Sequence, residues 1–191
     1  MPDSASDLQW LVETPRLRLR QFRDSDADFY RELLNDPGFI QNIADRGINS
    51  DVAALASLRE RVYGSYQVNG FGMYLVEDKQ LGRAVGMAGL VRRDFLPHVD
   101  VGYAFLPVGR GRGLATEAAA ALLVYARDTF QLERIAAITA LGNNPSIAVL
   151  LRLGFVACGH ITLPDTGEQC ACFERDLQTF SAPAGTAEQG S

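Results

Sequence analysis

The 191-residue sequence is short of several things, and each shortage excludes something. No run approaches the ~20 apolar residues that a membrane-spanning helix needs, so no membrane partner is expected. The first ten residues, MPDSASDLQW, lack the basic start and apolar centre of a secretory signal. Only three cysteines are present, an odd number that argues against a disulfide framework and fits reduced thiols in the cytoplasm. There is no basic excess either. Eighteen Lys and Arg against 23 Asp and Glu give a net charge of −5, which disfavours a nucleic-acid partner. The same balance steers cationic molecules toward the chain, and any anion site must be built locally against it.

What is present is ordinary globular material: 47% hydrophobic and 21% charged residues, in a length that suits one core. The expected organisation is a flexible N-terminus at 1–10, one domain at 11–180 and a small, polar, disordered tail at 181–191. RLRLRQF (16–22) alternates as a half-buried strand with Leu17 and Leu19 on one face. RDSDADFYRELLND predicts a helix capped by Asp24 or Ser25 and stopped at Pro37–Gly38. A second helix is expected over about 50–67, burying Val52, Leu55, Leu58 and Val62. FGMYLVED and AVGMAGLVRRD flank Lys79–Gly82 as a hairpin, and 98–106 reads as a further strand. On that strand Val99, Val101, Tyr103 and Phe105 share one face, with His98, Asp100, Gly102 and Ala104 on the other. After a helix to about Phe130 come a strand at 134–141, a helix in NNPSIAVLLRLGF capped by Asn144 and closed by Gly154, and a final hairpin around PDTG. The order predicts an α+β fold: a mixed, mostly antiparallel sheet with helices on both faces.

The stretch LPVGRGRGLATEAAAALLVYA (106–126) sets three glycines and two arginines directly before an alanine-rich helix. A helix N-terminus exposes unpaired N–H groups and partial positive charge, and glycine lets the backbone turn several N–H groups inward. Arg110 and Arg112 add forked donors suited to phosphate oxygens. Together these describe a pyrophosphate cradle. Two nucleotide patterns fail on spacing. No lysine follows the glycines, as a P-loop requires, and Leu114 and Thr116 stand where a dinucleotide fingerprint needs its third glycine.

What fits is Arg-x-x-Gly-x-Ala at Arg110, Gly113 and Ala115, which resembles the acetyl-coenzyme A loop of the GCN5-related N-acetyltransferases (GNAT). The longer string GYAFLP…GRGLATEA…YA, followed by NNPSIAVLLRLGF, is similar to the RimJ/RimL branch, which includes enzymes acetylating ribosomal-protein N-termini. The resemblance is strong over 99–155 and extends more loosely over 13–177. It implies acetyl-CoA as co-substrate, with a pantetheine arm paired to the backbone of Tyr103, Ala104, Phe105 and Leu106. It further implies a pyrophosphate on the amides of Arg110, Gly111, Arg112, Gly113, Leu114, Ala115 and Thr116. The family's Asn-x-x-Ser pattern falls on Asn143 and Ser146, near the thioester. The cofactor carries the activated acyl group, so no metal is implied. The acceptor is a primary amine of a peptide N-terminus or a small molecule, and a homodimer stays open.

Direct attack of an amine on a thioester needs a base, because an ammonium with a pKa near ~8–10 must first lose a proton. Asp100 is the first candidate, sharing a strand with the cofactor-pairing residues; His98 is the second, with the better intrinsic pKa. Many GNAT enzymes place a tyrosine seven residues after the motif asparagine, where it protonates the leaving thiolate. Here Leu150 stands at that position, and the resemblance points to Ser146 instead. Glu117 reads as a favourable acid in the first helical turn. Cys158, His160, Cys170 and Cys172 share a strand face on paper, but residues two apart on a strand are too far separated to close a tetrahedral zinc site, so they read as core thiols. The competing functions are a non-catalytic acyl-CoA sensor and an adenine-nucleotide binder.

Overall fold

In a computed structural model of the chain, residues 9–182 are described. The expectations for 1–8 and 183–191 lie outside the described residues. Eight strands form one sheet in the order β1-β2-β3-β4-β5-β6-β8-β7. They are β1 (Val12–Glu13), β2 (Leu17–Arg20), β3 (Met73–Asp78), β4 (Arg83–Val91), β5 (Asp100–Phe105), β6 (Arg134–Ala140), β7 (Val156–Thr162) and β8 (Gln169–Asp176). All neighbours pair antiparallel except β5 and β6, which run parallel. This is the mixed α+β sheet expected from the element order.

One face carries α5 (Leu114–Phe130) and α6 (Asn144–Arg152); the other carries α1 (Ala27–Leu34), α2 (Pro37–Asn42), α3 (Asp51–Ser57) and α4 (Gly64–Asn69). Ala118, Ala119, Ala120 and Ala121 on α5 are all buried, and small side chains with high helix propensity let this helix lie close against the sheet. Its neighbours include Leu90, Val99 and Val101 at one end and Leu17, Leu19 and Val85 at the other. Among the described residues no helix is long and apolar enough to cross a membrane.

Local punctuation differs from the sequence expectation in four places. The first helix starts through a 3₁₀ turn (Asp24–Asp26), and Asp26 rather than Asp24 or Ser25 accepts the Arg23 N–H at 2.8 Å. Pro37 begins a helix instead of stopping one, because Asp36 caps α2 by accepting from the N–H groups of Gly38 and Phe39. The helix expected over 50–67 is α3 and α4 joined by a π-helical turn (Leu58–Tyr63), and Val52 points to solvent at 81% exposure. Asn143, not Asn144, caps α6, accepting from the Ser146 N–H at 3.3 Å.

Glu117 does more than complement a helix dipole. Its buried carboxylate accepts from Thr14 Oγ1 at 2.6 Å, from the Arg16 N–H at 3.0 Å and from the Arg16 guanidinium at 2.5 Å, fastening the β1–β2 turn to the first turn of α5. Glu117→Ala strands the Arg16 N–H, leaves the Thr14 hydroxyl only its contacts with the Leu17 backbone, and is expected to cost on the order of 2–3 kcal/mol. Urea unfolding checks this: the midpoint should fall with an unchanged slope, and a midpoint within error of wild type would contradict it.

Candidate active site

β5 and β6 touch at one register position, Asp100 opposite Ala136, where the Ala136 N–H donates to the Val99 carbonyl at 2.8 Å. A continuing parallel ladder would next send the Ile138 N–H to the Val101 carbonyl. Instead Ile138 donates to Asp100 Oδ1 at 3.3 Å. The carboxylate replaces the neighbouring strand, and beyond it the two strands part. Alternation along β5, fixed by the Val99 carbonyl facing β6 and the Leu106 N–H bonding Val85 of β4, turns the backbone of Tyr103 and Phe105 toward the gap. A stretch of strand edge is thus left inside the sheet. It needs a partner and fits the amides of a pantetheine chain.

At the open end of the gap β5 ends in a 3₁₀ turn (Pro107–Gly109) and the glycine loop leads into α5. Gly111 and Gly113 have φ of 71° and 76°, a left-handed conformation that a side chain strains. Gly113 occupies the N-cap of α5, where no side chain caps the free N–H groups. Thr116 Oγ1 in the same turn is buried with no hydrogen-bond partner. Unpaired N–H groups, a partial positive charge and an orphaned hydroxyl converge there, and these residues fit a pyrophosphate.

Both arginine side chains of the loop are engaged within the protein. Arg110 forms an ion pair with the buried carboxylate of Asp36, and Arg112 one with Asp78 at 2.6 Å. Asp36 and Asp78 are both buried, so releasing an arginine would leave an unbalanced buried carboxylate; each also caps backbone N–H groups, Gly38 and Phe39 for Asp36, Gln80 and Leu81 for Asp78. Arg16 adds a third tie by donating to the Arg112 carbonyl at 2.7 Å. These contacts tie the loop to α2, to the β3–β4 turn and to the β1–β2 turn. Sequence reasoning missed Asp36 and Asp78; the Asp-Pro-Gly string, a helix-start signature, was the signal for the first.

Across the gap, α6 brings Ser146 to within reach of β5. Tyr103 Oη lies 3.0 Å from Ser146 Oγ and 3.2 Å from the Ser146 carbonyl. Leu150, at the position where many GNAT enzymes carry a tyrosine, is buried in the core and has no proton to give. Asp100 is 2% exposed; burial pushes its carboxyl up to about 6, while an ion pair with Arg93 at 2.7 Å and the Ile138 N–H hold it back. His98 precedes the strand instead of lying on it. It lines a shallow cleft with Arg92, Gln131, Glu133 and Arg134, at the end of β5 opposite the glycine loop. The structure does not bring it to Ser146. Of the cysteines only Cys170 is a buried core thiol; Cys158 is exposed and Cys172 half-buried. A register shift at Ala157/Gly159 sets His160 opposite Ala171 and Cys170 opposite Ile161.

The mixed, mostly antiparallel sheet that opens between two parallel strands matches the fold of solved GNAT acetyltransferases. Residues 16–156 match the acetyltransferase (GNAT) domain family, and the chain belongs to that family. It is an N-acetyltransferase, of a family whose enzymes use acetyl-CoA. It is 30% identical over 147 residues to the uncharacterized protein YkkB of Bacillus subtilis strain 168, covering 74% of this chain and 82% of that one. A GNAT-family acetyltransferase from Bordetella pertussis superposes with a TM-score of 0.71 at 29% identity, covering 88% of this chain and 99% of its own. RimL, the ribosomal L7/L12 alpha-N-protein acetyltransferase solved with coenzyme A, has a TM-score of 0.75 at 17% identity over 88% and 98% of the two chains.

Gly113→Val tests the cradle. The substitution strains a backbone at φ 76° and puts a branched side chain beside the amides, so acetyl-CoA affinity by calorimetry should drop by roughly ten- to a hundredfold. Unchanged affinity would place the pyrophosphate elsewhere.

Proposed function

We propose that the chain moves the acetyl group of acetyl-CoA to a primary amine, on a protein N-terminus or a small molecule, by direct attack, as in the RimJ/RimL branch. The observation that carries this reading is the unpaired β5 edge at Tyr103–Phe105, with the α5 N-terminus at one end and Ser146 beside it. In this reading the backbone of Tyr103 to Leu106 holds the pantetheine arm and the amides from Arg110 to Thr116 hold the pyrophosphate. Asn143 caps α6 and so fixes where Ser146 stands. The relative's name, an alpha-N-protein acetyltransferase, supports a peptide amine as acceptor.

Asp100 serves as the base, through water, since Tyr103 lies about 10 Å further along the strand. The carboxylate keeps acceptor lone pairs for such a water: Arg93 and Ile138 take one direction each on the two oxygens. With a pKa of about 6 it is ionised at neutral pH and still basic enough to help. The sign is then fixed. Turnover should fall as pH drops through about 6, where Asp100 takes up its proton. Asp100→Asn should lower kcat by about 10²- to 10⁴-fold and move the rise to the amine's own range above pH ~8. An Asn variant with the full rate and profile, beside a His98→Ala variant that loses both, would move the base to His98.

Ser146 Oγ donates a hydrogen bond to the leaving sulfur. A coenzyme A thiol with a pKa near ~8.5 leaves without a strong acid, so Ser146→Ala should cost roughly tenfold in kcat. Free-thiol release from acetyl-CoA with a panel of primary amines tests the whole reading. The panel should span cationic and anionic amines, because the net charge of −5 steers cations toward the chain while the acceptor itself is open. Tight binding of acetyl-CoA with no thiol release for any amine would leave an acyl-CoA-binding module instead.

A further inference from the structure

The motif tyrosine is missing from α6, yet the structure supplies a phenol from the other side of the gap. Tyr103 on β5 reaches Ser146 at the N-terminal turn of α6, with Oη 3.0 Å from Oγ and 3.2 Å from the backbone carbonyl. We propose that Tyr103 is a positioning residue for acetyl transfer: its phenol aims the Ser146 hydroxyl at the thioester sulfur. This rests on the reading of Ser146 just given.

The hydrogen-bond inventory carries the argument. A serine hydroxyl has one proton and two lone pairs, and a phenol likewise donates once. If the phenol donates to Ser146 Oγ, the serine proton is free to point along the gap at the sulfur. If Ser146 donates to Tyr103 instead, its one proton is spent and the sulfur meets only lone pairs. The Ser146 carbonyl offers Tyr103 a competing acceptor, but at the longer distance. Burial pushes the phenol up to about 12, so it stays a neutral donor throughout the working range. Both hydroxyls are fixed by their elements. Tyr103 is half-buried and packs against the buried apolar cluster of the α5–α6 face, and Ser146 is held through the Asn143 cap.

In the reaction the amine nitrogen forms a bond to the acetyl carbon and the carbon–sulfur bond breaks. The amine loses its proton toward Asp100, and the thiolate takes one from water. No proton leaves Tyr103 or Ser146; they supply an oriented hydrogen bond to the sulfur as its negative charge grows. Such a bond acts on the transition state and not on ground-state binding, so its loss appears in kcat with KM unchanged.

The test is a double-mutant cycle on kcat and on KM for acetyl-CoA, with thiol release as the readout. Tyr103→Phe keeps the ring and the backbone edge and should lower kcat about five- to tenfold without raising KM. Ser146→Ala should lower it by a similar factor, and the double variant should be no slower than the worse single variant. The Tyr103→Phe deficit should stay constant between pH 7 and 10, where the phenol remains protonated. Ser146→Thr, which keeps a hydroxyl, should restore dependence on Tyr103 should the alanine variant fold poorly. Full kcat in Tyr103→Phe beside a slow Ser146→Ala would overturn the Tyr103 role and leave Ser146 in place. Multiplying deficits in the double variant, or a change confined to KM, would overturn the coupling. Full kcat in Ser146→Ala would remove the sulfur contact itself, a failure of the underlying reading visible without any Tyr103 variant.

Discussion

The site depends on a ladder that stops. Parallel neighbours in a sheet ordinarily continue pairing as long as both strands last, because an unpaired backbone group inside a protein costs about 1–3 kcal/mol. Here a side chain ends the pairing without leaving the first freed donor exposed: Asp100 Oδ1 accepts from Ile138 N–H where the Val101 carbonyl would have done so. The carboxylate is buried and would be costly alone, and Arg93 balances it. The result is a strand edge held open in the middle of a sheet, which edge-on pairing with an extended ligand can complete.

The loop at the mouth of that gap is organised by the opposite strategy. Its arginines pair with Asp36 and Asp78, with Arg16 and Glu117 completing the ties to α2, the β3–β4 turn and the β1–β2 turn. Gly38 leaves room for this: a Cβ built there would stand 2.8 Å from the Arg110 guanidinium. Once the loop is fixed, the backbone amides and the uncapped start of α5 need no rearrangement to receive an anion, and little ordering entropy remains to be lost on binding. Fixed positive charge next to the cradle still adds to its field, because each ion pair is half open to solvent on the arginine side.

Much of this was legible in the sequence because it is written in local codes. The alternation in RLRLR, the Lys79–Gly82 turn and the Arg-x-x-Gly-x-Ala loop each depend on neighbours in the chain, and each appears at the expected place. Contacts across more than 40 residues carry no such code. Arg110 with Asp36 and Tyr103 with Ser146 join segments whose meeting depends on the whole sheet, so periodicity and spacing cannot pair them. Glu117 looked like a dipole-complementing acid for the same reason, since its partners Thr14 and Arg16 lie at the far end of the sequence. Boundaries failed where a single side chain decided them: Asp36 turned Pro37 from a stop into a start, and Asn143 took the cap from Asn144.

The central claim is that the open edge of β5 and the start of α5 are where acetyl-CoA lies. Amide hydrogen exchange in the presence and absence of coenzyme A tests it residue by residue. Saturating coenzyme A should slow exchange at the Tyr103 and Phe105 amides and at Gly111 to Thr116, while Leu17 to Arg20 in β2 exchange as before. Tight binding that leaves the amides of 103–105 and 111–116 exchanging at their ligand-free rates would contradict it.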